Sequence, residues 1–364
     1  MGLAPDAETT ALYEQIRAGL PVAGGVLWSM PIPAAAAGHN LPAQATPFVG
    51  REQELEEVRA RLKDPACRLL TLLGPGGAGK TRLALQAAEG MVQVGSFKHG
   101  VFFCPLASIT CCQGVVPAVA EALSYQFRPE TEGRPQAAPR GQLLDYLRRK
   151  QLLLIMDNYE HLLVEEASPE EAVSLIGDVL AAAPGVKLLV MSRASLQVQG
   201  EHLYPVQGLQ VPPGPLSRLG SRPATQMGDP DQAVHLYSAI ELFRQGAQQV
   251  RPGFELRPED LAPVAQICRL VEGLPLGILL AAAWVEVLSP AEIAAEIERS
   301  LDFLETDRRD APLRQRSIRA VFDYSWRLLD GREREIFQGL AVFRRGFTHQ
   351  AALAITGASP RDLL

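Results

Sequence analysis

The chain has 364 residues, 47% of them hydrophobic and 21% charged, with a formal net charge of −6. This is a globular composition with room for more than one core, and its acidic excess argues against a nucleic-acid surface along the whole chain, because counterion release needs clustered Lys and Arg. Its cysteines, Cys67, Cys104, Cys111, Cys112 and Cys268, are odd in number and lack CxxC spacing, so neither a disulfide framework nor a zinc site is indicated.

Residues 1–20 end in a short helical pattern from Glu8 to Ala18, and they carry early acids but no basic stretch before a long apolar run. They are therefore not expected to act as a signal peptide. Residues 21–46, rich in Ala, Pro and Gly, form an expected linker. From 47 to 211 apolar runs alternate with helical stretches. Strands are expected at Leu69–Leu73, Val101–Pro105, Leu152–Met156, Leu188–Met191 and His202–Val206, and helices near 51–63, 80–93, 114–124, 140–149 and 169–183. Strands that are continuously apolar and separated by helices predict an α/β fold with a buried parallel sheet covered on both faces. Pro-rich breaks at 128–141 and 212–230 mark an expected surface loop and a domain junction. The pattern is then helical over 231–305 and most of 313–364, with no internal repeat of 20–50 residues. The longest apolar run, Ile278 to Val285, is too short to span a membrane, and a cytoplasmic location without a membrane partner is expected.

The chemistry concentrates in GPGGAGKT, Gly74 to Thr81, which an apolar strand enters and an Ala/Leu-rich helix leaves. Glycines at 74, 76, 77 and 79 let backbone N–H groups turn inward around a phosphate chain. Lys80 can reach β- and γ-phosphates, Thr81 can offer its hydroxyl to Mg²⁺, and the helix start adds its positive dipole end. The candidate cradle thus comprises Gly74, Pro75, Gly76, Gly77, Ala78, Gly79, Lys80, Thr81 and Arg82.

Further along, LLLIMDN (152–158) delivers Asp157 at the C-terminal end of a strand, where open α/β sheets bind ligands. Asp157 is the candidate Mg²⁺-holding acid, directly or through water. The next residue is Asn158, so the acid that would activate water is missing there. Glu160 could replace it, and fast hydrolysis is not expected. KLLVMSR (187–193) ends another strand at Arg193, either a γ-phosphate sensor or an ordinary solvated arginine.

Taken in order, FVGREQELEEV (48–58), GPGGAGKT, LLLIMDNYEHLL (152–163), KLLVMSRASL (187–196) and GLPLGILLAAA (273–283) resemble the nucleotide-binding core of bacterial STAND regulators, relatives of the NB-ARC proteins. The resemblance covers residues 47–364. It implies an ASCE-type, AAA+-like P-loop NTPase domain whose sensor strand lies between the two Walker strands, then a helical domain, then a winged helix. It also implies an ATP/ADP switch in which ADP holds a closed form and ATP permits assembly with protein partners or further copies. Val49 would meet adenine through its backbone, with Arg51 beside the nucleotide; an exposed charge paired with nearby Glu residues is the alternative for Arg51. Pro275 would close over the base or ribose, or merely break two helices. The segment 314–355 is similar to the start of a winged helix that packs on the nucleotide domain, so direct DNA binding is not expected. Residues 2–18 resemble the last helix of a bacterial transcriptional activator domain, and the chain is expected to be truncated at both ends. A multi-turnover ATPase doing mechanical or metabolic work is the other reading, and turnover rate separates the two.

Overall fold

The computed structural model of the chain describes residues 38–128, 138–163, 169–213, 236–306, 316–343 and 346–363. The expected activator remnant at 1–20 lies outside them, as do the first part of the expected linker and most of the two Pro-rich breaks.

In chain order the nucleotide-domain elements are α1 (Glu52–Lys63), β1 (Leu69–Leu73), α2 (Lys80–Gln93), β2 (Val101–Pro105), α3 (Val115–Ala122), α4 (Pro139–Leu147), β3 (Leu152–Asp157), α5 (Pro169–Ala182), β4 (Val186–Ser192) and β5 (Glu201–Pro205). All five strands join one sheet in the order β2-β3-β4-β1-β5, and every pairing is parallel. Side chains alternate across a strand, so β3 feeds two cores at once. Leu152, Leu154 and Met156 pack with Val119 of α3, Leu143 of α4 and Ile176 of α5. Leu153 and Ile155 pack on the other face with Leu83 and Ala87 of α2 and Val58 of α1. Burial on both faces is why β3 reads as an unbroken apolar run.

The strand order has a functional consequence. The P-loop strand β1 and the Asp157 strand β3 are not neighbours, because β4 lies between them. The residue that follows β4, Arg193, is thereby delivered between the phosphate loop and Asp157.

The expected linker does not stay apart from the sheet along its whole length. His39 forms a parallel bridge with Val101 at the outer edge of β2, and Asn40 donates to the Phe103 carbonyl at 2.9 Å while accepting from the Phe103 amide at 2.6 Å. An edge strand offers unpaired backbone groups, and this segment covers them.

A third core joins α6 (Ser238–Val250), α7 (Leu261–Leu270), α8 (Pro275–Ala283) and α9 (Pro290–Arg299) around Phe243, Ile267, Ile278 and Ile293. Ser289 and Glu292 form a reciprocal capping box at the start of α9, with Pro290 in the first turn. The segment expected as a partial winged helix holds α10 (Ile318–Leu328), α11 (Gly331–Leu340) and α12 (His349–Thr356). The DG break separates α10 from α11 because Asp330 caps α11 by accepting from Glu333 N at 2.7 Å. Among the described residues, no helix is long and apolar enough to cross a membrane.

Candidate functional site

Where β1 ends, the chain turns through Gly74–Gly79 into α2. Gly77 and Gly79 have φ of 77° and 86°, values that L side chains rarely adopt. Gly79 is the N-cap of α2 and no side chain caps that helix start, which leaves its first amides to an anion. Space is equally restrictive. A Cβ at Gly76 would lie 2.6 Å from both Arg193 Nη2 and Val321 Cγ1, and one at Gly77 would lie 2.9 Å from Leu276 Cβ. Ala78 is fully buried beneath the loop, and its amide donates to the Pro75 carbonyl at 3.4 Å.

Lys80 folds back into this loop, its Nζ donating to the carbonyls of Gly74 at 2.7 Å and Pro75 at 3.1 Å. Burial lowers its pKa to about 8; the carboxylates of Glu160 and Asp157 oppose that shift and the Arg193 cation adds to it. Thr81 donates its hydroxyl to Asp157 Oδ1 at 2.9 Å. Hydroxyl and carboxylate thus meet as the oxygen pair that a hard divalent cation takes.

Asn158 adopts φ 68°, a left-handed conformation that asparagine tolerates better than most residues. Its side chain donates to the Tyr324 hydroxyl at 3.2 Å and faces His161 Nδ1 at 3.2 Å. The following turn places Glu160, only 3% exposed, beneath Arg193. Arg193 Nε donates to Glu160 Oε1 at 3.2 Å, whereas Glu160 Oε2 is buried without a hydrogen-bond partner among the described residues. Arg193 is not a solvated arginine: its side chain is 12% exposed. Its Nη1 donates to the Val321 carbonyl at 3.1 Å and to the Ser325 hydroxyl, and its guanidinium stands 4.5 Å from the centroid of the Tyr324 ring.

Two helices from outside the sheet close over the loop. Leu276, in the first turn of α8, donates its amide to the Gly77 carbonyl at 3.3 Å, and Pro275 Cγ would be 3.6 Å from a Cβ on Gly79. On the other side stands Val321 of α10. A cavity of about 230 Å³ remains, lined by Lys80, Thr81, Asp157, Glu160, Arg193 and Pro275 among others.

The remaining expected residues are placed differently. Val49 and Arg51 line a separate cavity of about 560 Å³ with Ser238, Glu241 and Arg244, and no P-loop residue borders it. The smaller cavity is the chemical one, since it holds the lysine, the acid and the arginine. Arg51 is not an exposed helix-start charge. It is 7% exposed, and its Nη2 donates to the Gln207 carbonyl at 2.6 Å, with burial lowering its pKa. Arg82 borders the P-loop cavity, but its guanidinium bonds the Thr46 hydroxyl at 2.5 Å and the carbonyls of Thr46 and Pro47 at 2.7 and 2.9 Å. It ties the segment before Val49 to α2. Residues that sequence reasoning left without a role here are Leu276, Val321, Tyr324 and Ser325. The last three recur at helical spacing, and two polar groups inside that apolar stripe were the available signal.

The NB-ARC domain family matches residues 51–167, and an uncharacterised protein of Mycobacterium tuberculosis is 31% identical over 324 residues, 89% of this chain and 72% of that protein. The chain belongs to the STAND-type NB-ARC family of P-loop NTPases. A second M. tuberculosis protein, provisionally named an HTH-type transcriptional regulator, is 33% identical over 299 residues, which are 81% of this chain and 29% of that protein. Among solved structures, the RuvB Holliday junction branch migration motor of Thermotoga maritima aligns with TM-score 0.40 and 14% identity, over 88% of this chain and 86% of that one. That likeness is distant, and the fold assignment rests on the strand order and the phosphate loop. In this NB-ARC chain the fit to a nucleotide is local and physical: glycines stand where a Cβ would clash, a helix start lacks a cap, and a lysine and a Thr–Asp pair flank both.

Proposed function

We propose that the chain is the ATP/ADP-binding switch of a bacterial signalling or transcriptional regulator, working in the cytoplasm with slow or no hydrolysis. The observation that carries this reading is the cover over the phosphate loop. A loop bridged by Leu276 of α8 and Val321 of α10 couples two helical modules to whatever the loop holds. Gly74 to Thr81 would hold the phosphates, with Thr81 and Asp157 holding Mg²⁺ and Pro275 covering the base or ribose. Bound there, Mg²⁺ would neutralise phosphate charge. Val49 and Arg51 would approach adenine from the separate cavity that they line.

Slow turnover is supported by Asn158, whose amide is bonded to Tyr324 and which cannot accept a proton from water. Glu160 Oε1 is engaged by Arg193. The Oε2 of Glu160, without a hydrogen-bond partner among the described residues, favours a multi-turnover ATPase instead. Turnover far below the roughly 1–100 per second of phosphoryl-transfer enzymes supports the switch, and turnover within that range overturns it.

If Arg193 senses the γ-phosphate, Arg193→Ala should weaken a non-hydrolysable ATP analogue more than ADP, because only the triphosphate supplies that charge. Equal losses by calorimetry would leave Arg193 a structural residue, held by Glu160 and α10.

The low pKa of Lys80 gives a second expectation. A phosphate partner favours the charged amine and so raises that pKa. Near pH 8 to 9 nucleotide binding should therefore take up a fraction of a proton, which should vanish by pH 6, where Lys80 is already charged. Calorimetry in buffers of different ionisation enthalpy reads this uptake, and a slope of zero at pH 8.5 would exclude it.

A further inference from the structure

We propose that Tyr324 and Ser325 of α10 set the selectivity of the phosphate site between diphosphate and triphosphate by holding Arg193 on α10. The proposal deepens the nucleotide-switch reading and rests on it.

The geometry is that of a side chain shared between two claims. Val321, Tyr324 and Ser325 fall at i, i+3 and i+4, hence on one face of α10. That face carries a carbonyl and a hydroxyl that both accept from Arg193 Nη1, and a ring stacked on the guanidinium with its carbon 4.5 Å from the centroid. Nη2 points the other way, over the loop, 2.6 Å from where a Cβ on Gly76 would be. Arg193 therefore lies at the rim of the phosphate cradle with much of its fork committed to α10. A planar guanidinium binds phosphate best through two parallel N–H groups. Turning the fork toward a third phosphate would break the α10 contacts, whereas a diphosphate makes no such demand.

Tyr324 does more than stack. Its hydroxyl accepts from Asn158 Nδ2 at 3.2 Å, so one side chain of α10 touches the residues that directly follow β3 and β4. The helix is also tied to the helical module: the Ile318 amide donates to the Leu304 carbonyl at 3.1 Å and the Thr306 amide to the Arg316 carbonyl at 2.8 Å. Release of Arg193 would thus loosen α10 where it meets the sheet while its start stays anchored. A ligand shifts such an equilibrium only by its differential affinity for the two arrangements, and Arg193 supplies that difference.

The test is calorimetric titration of the whole chain with ADP and with a non-hydrolysable ATP analogue, for the parent and for Ser325→Ala, Tyr324→Leu and the pair together. Tyr324→Leu keeps apolar bulk under α10, and Ser325→Ala removes one oxygen, so at least one variant keeps the fold. The double variant should bind the analogue about tenfold tighter relative to ADP, the scale of one charge-assisted hydrogen bond. In an Arg193→Ala background the same substitutions should leave the ratio unchanged, which a merely structural effect of α10 would not do. An unchanged ratio in the Arg193-containing variants overturns the proposal while the switch reading stands. So does a shift of equal size without Arg193. If the parent binds neither nucleotide, both fall together.

Discussion

Lys80→Ala should cost the chain about 10- to 150-fold in affinity for ADP with Mg²⁺, the equivalent of about 1.5–3 kcal/mol for a hydrogen bond to a charged group. Lys80 Nζ lies inside the loop on the carbonyls of Gly74 and Pro75, so a phosphate oxygen arriving there meets a pre-positioned donor. Unaltered ADP affinity by calorimetry would refute the phosphate role. Folding stability should respond in a separate and recognisable way. Burial lowers the pKa of Lys80 from 10.5 to about 8, which means the folded state holds fewer protons than the unfolded state between these values. Stability contributed through this group therefore rises as pH climbs from about 8 to 10.5. Below pH 8 the group must be charged in a partly desolvated place, so the alanine variant should be no less stable there. Without nucleotide, the parent should gain on Lys80→Ala through that alkaline window, as urea titrations at pH 7 and pH 10 would show. A constant difference between parent and variant would contradict the assigned burial.

Gly77→Ala should lower affinity for ADP and the triphosphate alike by about tenfold or more, together with stability. Two causes act at one atom. Gly77 has φ of 77°, where a side chain costs about 1–2 kcal/mol. The added Cβ would also sit 2.9 Å from Leu276 Cβ and 3.2 Å from Leu276 Cδ2, so either the loop or α8 must move. Because the Leu276 amide bonds the Gly77 carbonyl, moving α8 opens the cover of the site. Gly253→Ala is an informative contrast, since it has φ of 89° but nothing within 4 Å of the added Cβ. It should share the strain and leave nucleotide affinity alone. Equal binding losses in the two variants would mean that a general loss of stability, not the α8 contact at the loop, lowers the affinity.

Several parts of this architecture are local properties and so were open to reading in one dimension. β3 is a run of buried Leu and Ile because both of its faces are covered, and it was recognisable for that reason; it continues one residue further than expected, to Asp157. The phosphate loop declared itself because left-handed turns and close approach both demand glycine, and the chain supplies them at 76, 77 and 79 beside Lys80. Helix starts at Ser289 and Asp330 follow from their own side chains.

What tertiary structure alone decided was which distant groups face each other. Arg193 read as a γ-phosphate sensor, with an ordinary solvated arginine as the alternative. It is neither free nor solvated, because Ser325, 132 residues away, and Val321, 128 residues away, arrive on one face of α10 to meet it. Arg51 was expected beside the nucleotide, with a paired surface cation as the alternative, yet its left-handed backbone turns the side chain inward to a carbonyl 156 residues away. Residues 38–46 read as linker because they are short of charge and rich in Ala and Pro, and only the open edge of β2 shows why Asn40 is held there. Periodicity, caps and glycine turns are set by neighbours within a few residues, so composition and spacing determine them. Contacts across the sheet depend on register and on how α8 and α10 dock, which are settled by the burial of whole faces rather than by any short stretch of chain.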